Sequence, residues 1–442
     1  MGPQMEAVST RTKMPLTANS ATWHVKGLPT PEEIFAELRR IGADVEGVTR
    51  TAYDAPETKA LHYIEELARS IGLAVSRDPA TNLILQLPSL TTRNPAIYVG
   101  SHLDSVPQGG NYDGAAGVVA GLLCLARFHV TSELPARPVR VLALRCEESP
   151  WFGVACVGSR ALFGEIRPDL DRTHRTTGKT LRSHLAAAGA VMEQIESGRR
   201  LLPCEDVAAY YELHIEQGPV LVQHECAVGV VSGIQGILRY SAIRCLGEEG
   251  HSGAIPRAFR RDAAAATIEL LHRLNAHWNE LSSAGRELVV TSGIVSTNPA
   301  RHSASKIAGE VTFSLDVRSM DATLLEDVRK FVLETASEIE RSHHVSFQMN
   351  DYYITAPAVM DPPSVRRLLR LSRKLGLPER SITSGSGHDA QVFASNGIPT
   401  SMIFVRSRNG SHNPAESMDI EDFESATDLL FEALRQGGED AC

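Results

Sequence analysis

The sequence predicts an α/β protein in which a mostly parallel catalytic sheet, with helices on both faces, is interrupted by an inserted α+β domain. Apolar strand patterns alternate with helical patterns in the first half of the chain, the order of elements changes near residue 231, and the alternation later resumes. The predicted boundaries are a flexible N-terminal arm at 1–25, a catalytic domain in two parts at 26–230 and 347–442, and the inserted domain at 231–346.

The first part of the catalytic domain begins with two helical patterns. "TPEEIFAELRRIGA" has Thr30 as a cap, Pro31 in the first turn and Glu33 at capping-box spacing, and "APETKALHYIEELARSIGL" has one apolar stripe. Strands are predicted at "NLILQLP", "PAIYVGSHLDSV", "PVRVLALRCEES" and "AAYYELHIEQG", and a buried helix at "DGAAGVVAGLLCLARFHV". Strands and helices that alternate in this way favour a parallel sheet.

The inserted domain has a different order of elements. The segments are "GILRYSAIRCLGE", "DAAAATIELLHRLNAHWNEL", "ELVVTSGIVS", "KIAGEVTFSLDVRS" and "LLEDVRKFVLETASEIERSH". They form the first five elements of a β-α-β-β-α-β unit. The second part of the catalytic domain then follows as "PSVRRLLRLSRKLG", "TSMIFVR" and "EDFESATDLLFEALRQ", predicted as helix, strand and helix.

Composition excludes several classes of partner and site. The net charge of −9 and the pI near 6.0 argue against nucleic acid and against an anionic membrane surface, and no apolar run has the length of a membrane span. The seven cysteines are scattered and form no Cys-x-x-Cys pair, which predicts reduced thiols in a cytoplasmic protein. Any metal would therefore be held by histidine and carboxylate.

Polar side chains follow the predicted strands. His102 and Asp104 end one strand, Glu147 and Glu148 end another, and His214 lies at the end of a third. Catalytic groups of parallel sheets collect beyond the carboxyl ends of the strands. Together with the loops "NYDGAAG" and "SHNPAE", these stretches offer three imidazoles and three carboxylates, enough for two divalent cations and a water that a free carboxylate deprotonates.

These motifs resemble the carbamoylase/allantoate amidohydrolase branch, the hydantoinase/carbamoylase-type amidases, of the dinuclear-zinc aminoacylase and carboxypeptidase superfamily. The match runs in order from about residue 43 to residue 436, and "ELHIEQGPVL" is its most specific part. The resemblance implies a metal-dependent hydrolase that cleaves a linear amide or ureido C–N bond. Its substrate would be a small carboxylate such as an N-carbamoyl amino acid, a ureido acid or an allantoate-like compound.

The resemblance also implies a role for each site residue. One of the two metal ions would be held by His102, Asp113 and His214, and the other by Asp113, Glu148 and His412. Zinc is the first candidate, with manganese, cobalt or nickel as alternatives. Glu147 would be the general base, and Asp104 would fix the tautomer of the His102 imidazole. The Asp113–Gly114 peptide bond is expected to be cis.

Other implied roles lie outside the metal ligands. His251, in the inserted domain, would stabilise the oxyanion after lid closure or across a homodimer formed by that domain, Gln217 would contact the substrate head group, and Arg318 would bind the substrate carboxylate. Each has a structural alternative: a tight turn for His251, a cap of the following Gly-Pro turn for Gln217, and an ion pair with Asp316 or Glu310 for Arg318.

Two stretches depart from the family pattern. Ser305 stands where the family has an asparagine that touches the substrate, and "EESPWFG" has Trp151 where a basic residue is common, which predicts a less polar pocket. These departures leave alternative functions open: an aminoacylase-like or dipeptidase-like hydrolase, a hydrolase that deaminates an unusual amine, or a non-catalytic binding protein.

Overall fold

The computed structural model describes residues 23–90, 95–349 and 352–437. Most of the predicted N-terminal arm, residues 1–22, lies outside the described residues. Trp23 and Val25 are buried at the start of the described chain, and the Trp23 ring packs edge-on against Phe431 at 5.8 Å. The last part of the segment predicted as an arm is thus packed on the core.

The predicted helices are confirmed. Thr30 and Glu33 form both hydrogen bonds of the capping box at the start of the first helix. The helices are α1 (Pro31–Ile41), α2 (Ala55–Ser70), α3 (Ala115–Thr131), α4 (Val157–Leu162), α5 (Leu181–Ala187), α6 (Met192–Glu196), α7 (Val220–Gln223), α8 (Ala263–Ser283), α9 (Ala322–His343), α10 (Pro362–Lys374), α11 (Asp389–Ser395) and α12 (Ile420–Arg435). None of these helices is both long and apolar enough to cross a membrane.

Within the described residues, the strands form two main sheets and two short ribbons. They are β1 (Ala74–Arg77), β2 (Leu83–Gln86), β3 (Ala96–His102), β4 (Val139–Leu144), β5 (Val207–Ile215), β6 (Val228–Ile234), β7 (Gly236–Leu246), β8 (Gly250–His251), β9 (Val289–Thr291), β10 (Val295–Thr297), β11 (Lys306–Ile307), β12 (Glu310–Ser319), β13 (Ser346–Gln348), β14 (Tyr352–Thr355), β15 (Ala358–Val359), β16 (Ser381–Ser384), β17 (Thr400–Val405), β18 (Ser407–Arg408) and β19 (Ser417–Met418).

The first sheet is parallel at its centre and mixed at its edges. Its order is β1-β2-β4-β3-β5-β17-β6-β15, with β16 also paired to β6. The neighbours β4, β3, β5 and β17 run parallel, whereas β1, β2 and β15 pair antiparallel and β6 is antiparallel to β17. The four central strands therefore end at one edge of the sheet, where their loops meet.

Alternate residues of the central strands enter different cores on the two faces of this sheet. Val99 and Ile403 pack with α3 and α12, whereas Tyr98 and Phe404 pack with α4 and α11. Helix α3 approaches β5 very closely, because a Cβ on Gly117 would lie 2.2 Å from the Leu213 carbonyl oxygen. The position of the α3 start, and of the loop before it, depends on this contact.

The second sheet is antiparallel and has its own core. Its order is β10-β12-β7-β13, with β14 paired to β7 and β9 to β12, and helices α8 and α9 contribute to its core. The sheet begins at Gly236 and includes β14 as far as Thr355, so it extends past residue 346. The chain passes between the two sheets at Gln235 and again at residues 356–357.

Substitution of Gly117 by alanine is expected to destabilise the fold. The added methyl would overlap the main chain of β5, and such overpacking costs about 1–3 kcal/mol of unfolding free energy. Chemical denaturation measures the change. Gly293→Ala is the control, because no atom lies within 4 Å of the Cβ it would add. Equal stability of the two variants would contradict the close α3–β5 contact.

Candidate metal centre

Asp104 joins the ends of strands β3 and β4. It lies two residues after the end of β3 and is completely buried, and its two carboxylate oxygens accept hydrogen bonds from the main-chain amides of Glu147 and Glu148, both at 3.0 Å. One carboxylate therefore fixes the backbone that carries both glutamates. The sequence predicted an effect of Asp104 on His102, but it gave no sign of these two amide contacts.

A buried ion pair supports the same turn from behind. Arg145 donates to Glu57, and the other Glu57 oxygen accepts from the Cys146 amide at 3.1 Å. Cys146 has a left-handed backbone conformation, with φ of 55°. Non-glycine residues in this region are strained by about 1 kcal/mol or more, so the surrounding contacts hold the chain in this turn.

The structure brings His102, Asp113 and His214 together at the carboxyl edge of the sheet. Asp113 Oδ1 lies 3.5 Å from His102 Nε2 and 3.2 Å from His214 Nε2. The Nδ1 atoms lie 3.0 Å from the Asp104 carbonyl and 2.9 Å from the Ile215 carbonyl. A carbonyl only accepts, so each Nδ1 carries a proton and, in a neutral ring, the lone pair that a metal would use is on Nε2; that of His214 also accepts from the Gly114 amide at 3.2 Å.

The Asp113–Gly114 bond was expected to be cis, and this prediction is wrong: no peptide bond among the described residues is cis. The turn is made instead at Gly114, whose φ is 67°. A Cβ at this position would lie 2.5 Å from the His102 ring. Glycine therefore serves both the backbone conformation and the close approach of the imidazole.

A second group contains Asp113, Glu148 and His412. His412 Nε2 lies 3.4 Å from Asp113 Oδ2 and 3.3 Å from Glu148 Oε1. These two carboxylates raise the pKa of His412 to about 11. The position between them thus stabilises positive charge. The donor atoms of each group lie within 4.8 Å of one another, and Asp113 belongs to both groups.

Glu147 lies beside the first group without belonging to either. Its Oε2 is 3.9 Å from His102 Nε2, and the Cys156 thiol donates to its Oε1 at 3.4 Å. Burial raises the pKa of Glu147 well above its usual range, against the opposing charge of His102 and with further help from Glu148. A buried carboxylate of this kind readily holds a proton.

Three more side chains surround Asp113. Gln217 Nε2 donates to Asp113 Oδ2 at 2.8 Å, so its side chain does not cap the following turn. In the described part of the chain, the buried Oε1 of Gln217 has no hydrogen-bond partner. Sequence reasoning gave no role to Ser411 and Glu416, which also lie at Asp113, although both belong to the "SHNPAE" stretch.

Three predicted site residues lie in residues 236–349 and 352–355, which hold the second sheet, the β8–β11 ribbon, α8 and α9 and are called the second-sheet unit. Their contacts there are local or with a neighbouring loop. His251 is exposed and its Nδ1 accepts from the Gly253 and Ala254 amides, while Ser305 is exposed beside it. Arg318 pairs with Asp316 and also donates to the Gly385 carbonyl. The structure thus shows the ion pair considered as the structural alternative for Arg318.

The prediction that Trp151 makes the pocket less polar is wrong. Trp151 is buried, its indole donates to the Ser105 carbonyl at 2.9 Å, and its ring stacks on His174. An aromatic residue just beyond a strand end can turn into the pocket or into the core. Here the core cluster under the loop takes it, together with Phe152.

A third group of possible ligands, Glu212, His214 and His388, shares His214 with the first. Both Glu212 oxygens already accept hydrogen bonds, from Ser101 and from the Ala390 amide, and His388 Nε2 contacts Ser384. These groups support His214 from below, where the His388 ring lies 4.5 Å from the His214 ring.

Comparisons with known proteins place the chain in a family. The family model described as peptidase family M20/M25/M40 matches residues 98–436. The chain is 32% identical to the allantoate amidohydrolase of Escherichia coli, over 92% of this chain and 97% of the relative. It is 29% identical to an N-carbamoyl-L-amino-acid amidohydrolase of Paenarthrobacter aurescens, over 91% and 96% of the two chains.

A solved structure agrees with these sequence matches. The crystal structure of a hydantoinase/carbamoylase family amidase from Burkholderia multivorans has a TM-score of 0.81 and 28% identity, and the match covers 93% of this chain and 98% of that one. The sequence and fold matches thus cover more than nine tenths of the chain, and the family model matches residues 98–436 within them. The chain belongs to peptidase family M20/M25/M40, in the group that contains the hydantoinase/carbamoylase amidases.

Proposed function

We propose that this protein hydrolyses a linear amide or ureido C–N bond of a small substrate that bears a carboxylate, such as an N-carbamoyl amino acid, a ureido acid or an allantoate-like compound. The observation that carries the proposal is that two ligand groups share Asp113 while Glu147, at the same strand end, belongs to neither. The names of the two relatives described above support this class of substrate.

Two divalent metal ions are the proposed cofactors, with His102, Asp113 and His214 as ligands of one and Asp113, Glu148 and His412 as ligands of the other. Zinc is the first choice, and manganese, cobalt or nickel suit the same ligands. The orientation of both imidazoles, with Nδ1 at a carbonyl and Nε2 at Asp113, and the concentration of buried carboxylates fit such ions. Bound there, the ions would polarise the scissile carbonyl and acidify a water.

Glu147 is the proposed carrier of the proton. It takes a proton from the attacking water and returns it to the leaving nitrogen, which makes the nitrogen a better leaving group. Its burial supports this role, because burial raises the pKa of the Glu147 carboxyl and so makes the carboxylate a stronger base. Asp104 positions Glu147 through the main-chain amide.

Gln217 is the proposed contact for the substrate head group. Its unpartnered Oε1 is a buried acceptor next to Asp113, and an amide or ureido N–H would satisfy it. Arg318 would bind the substrate carboxylate by exchanging Asp316 for the substrate, since a guanidinium donates paired hydrogen bonds to either carboxylate in the same geometry.

His251 and Ser305 are proposed to reach the site together. Strand β8 pairs with β11, and the Ser252 amide donates to the Ser305 carbonyl at 3.0 Å, so the two residues belong to one ribbon. His251 would stabilise the oxyanion either after the second-sheet unit closes as a lid or from the partner subunit of a homodimer. Its exposure is consistent with both routes.

Homodimerisation is proposed through the second-sheet unit. Large apolar side chains are exposed on it, including Ile268 of α8 at 66% and Val295 of the edge strand β10 at 56%. An exposed edge strand with apolar side chains is a surface that pairs readily with another strand. A second copy of the chain would cover both residues.

The Glu147→Gln variant is expected to lose hydrolysis by about 10²–10⁴-fold while it keeps two metal ions, because general acid–base catalysis contributes about that factor. Ammonia release from a panel of N-carbamoyl amino acids, ureido acids and allantoate measures the activity, and elemental analysis measures the metal. Glu148→Gln is the control, since this variant should lose metal. Full activity of the Glu147→Gln chain would exclude Glu147 as the base.

The His251→Ala variant is expected to lose about 10²–10³-fold in kcat, the effect of one oxyanion donor, with unchanged thermal stability because His251 is exposed. Mixing it with the Glu147→Gln chain tests the route. If His251 acts across a dimer, mixed dimers regain activity, because one site then has both groups. If closure occurs within one chain, the mixture stays inactive. Full activity of His251→Ala alone would remove His251 from the mechanism.

The Val295→Asp variant is expected to convert the dimer into a monomer, because it places a charge on the proposed interface. Light scattering after size-exclusion chromatography measures the mass. Val45→Asp is the matched control: Val45 is 89% exposed and lies outside the second-sheet unit, so this variant should stay dimeric. A dimeric Val295→Asp chain would place the interface elsewhere.

A further inference from the structure

The Glu416 carboxylate lies against the main chain that carries Asp113. Glu416 is 5% exposed, and its Oε1 accepts from the Tyr112 amide at 2.9 Å and from the Asp113 amide at 3.3 Å. The chain at Gly110 passes so close that a Cβ there would lie 1.9 Å from the Glu416 carboxyl carbon. The loop before Asp113 is therefore shaped around a carboxylate from the far end of the chain.

Ser411 connects this carboxylate to Asp113 itself. Its Oγ lies 2.5 Å from Glu416 Oε2 and 2.5 Å from Asp113 Oδ2. Ser411 also directly precedes His412, so the segment that supplies a ligand of the second group also holds the carboxylate that the two groups share. His412 has φ of 60°, a strained conformation that such contacts maintain.

The two oxygens of Asp113 have different surroundings. Oδ1 faces His102 and His214, whereas Oδ2 faces His412 and accepts from Ser411 and Gln217. Each oxygen of the Asp113 carboxylate faces its own ligand group only while the carboxylate keeps its present orientation. A hydrogen bond to Oδ2 opposes rotation of the carboxylate about the Cβ–Cγ bond. The hydrogen bonds that Glu416 accepts from the Tyr112 and Asp113 amides fix the main chain that carries this side chain.

We propose that Glu416 and Ser411 are positioning residues that hold Asp113 across both metal positions, with their main effect on the ion held by Glu148 and His412. This inference rests on the proposed metal centre. Without the Ser411 hydroxyl, Oδ2 keeps only the hydrogen bond from Gln217, so its direction toward His412 is held less firmly. The ion on that side then binds more weakly, whereas the ion at His102 and His214 keeps its three ligands.

The test is a zinc titration of the metal-depleted full-length chain against a competing chelator. Ser411→Ala is expected to weaken one of the two zinc sites by about 10–100-fold, the usual effect of a lost partner of a metal ligand, and to leave the other nearly unchanged. Ser411→Thr keeps a hydroxyl and is expected to restore most of the affinity. Glu416→Gln keeps an acceptor for the two amides, so its loss should be smaller than that of Glu416→Ala.

Two matched controls separate positioning from a general loss of structure. Ser372→Ala removes another buried hydroxyl, which donates to the Pro378 carbonyl at 2.7 Å. Glu216→Gln changes another buried carboxylate that accepts two main-chain amides, those of Val220 at 2.6 Å and Leu221 at 2.8 Å. Both controls should bind zinc like the wild type, and circular dichroism should show all variants folded.

The outcomes distinguish this inference from the proposed function. Equal zinc affinities of the wild type and Ser411→Ala, or equal losses at both sites, would overturn the inference and leave the function intact. A wild-type chain that binds two ions but hydrolyses no substrate of the panel would contradict the function, while a selective loss in Ser411→Ala would still support the inference. A wild type that binds fewer than two ions overturns both.

Discussion

The buried carboxylate of Asp104 is the contact on which the arrangement of the site depends. It lies at the ends of two parallel strands and accepts hydrogen bonds from the main-chain amides of Glu147 and Glu148. The main-chain carbonyl of Asp104 orients the His102 ring. Two neighbouring residues at a strand end point in different directions, so one fixed backbone presents one glutamate to the second ligand group and leaves the other free. A single buried anion thus separates the two tasks proposed for adjacent side chains.

The site is also a concentration of like charge that the fold alone does not balance. Asp113, Glu147, Glu148 and Glu416 are all buried, and both kinds of group respond: burial raises the pKa of Glu147, Glu148 and Glu416, and Asp113 and Glu148 raise the pKa of His412. A buried anion without a partner is costly. Cations at the two shared positions would remove this cost, which gives the metal centre a structural reason as well as a chemical one.

Sequence reasoning succeeded where the information is local and failed where it depends on the third dimension. Helix α1 and the strand ending at His102 follow from caps and apolar patterns, and the ligand motifs are readable because each lies in one short segment. The amide contacts of Asp104 and the Glu416–Ser411–Asp113 chain join segments far apart in sequence. Trp151 was misplaced because hydrophobicity predicts burial without saying on which side of a loop it occurs.

The shared carboxylate has a consequence for the connectivity of the chain. His102 and His412 lie 412 − 102 = 310 residues apart, on loops that the sheet brings to one edge. An ion held by Asp113, Glu148 and His412 would fasten the C-terminal strand–loop segment to the N-terminal strands, much as a crosslink closes a long loop. Its binding free energy would add to the stability of the folded state. The metal centre would then stabilise the whole catalytic sheet as well as carry out the reaction.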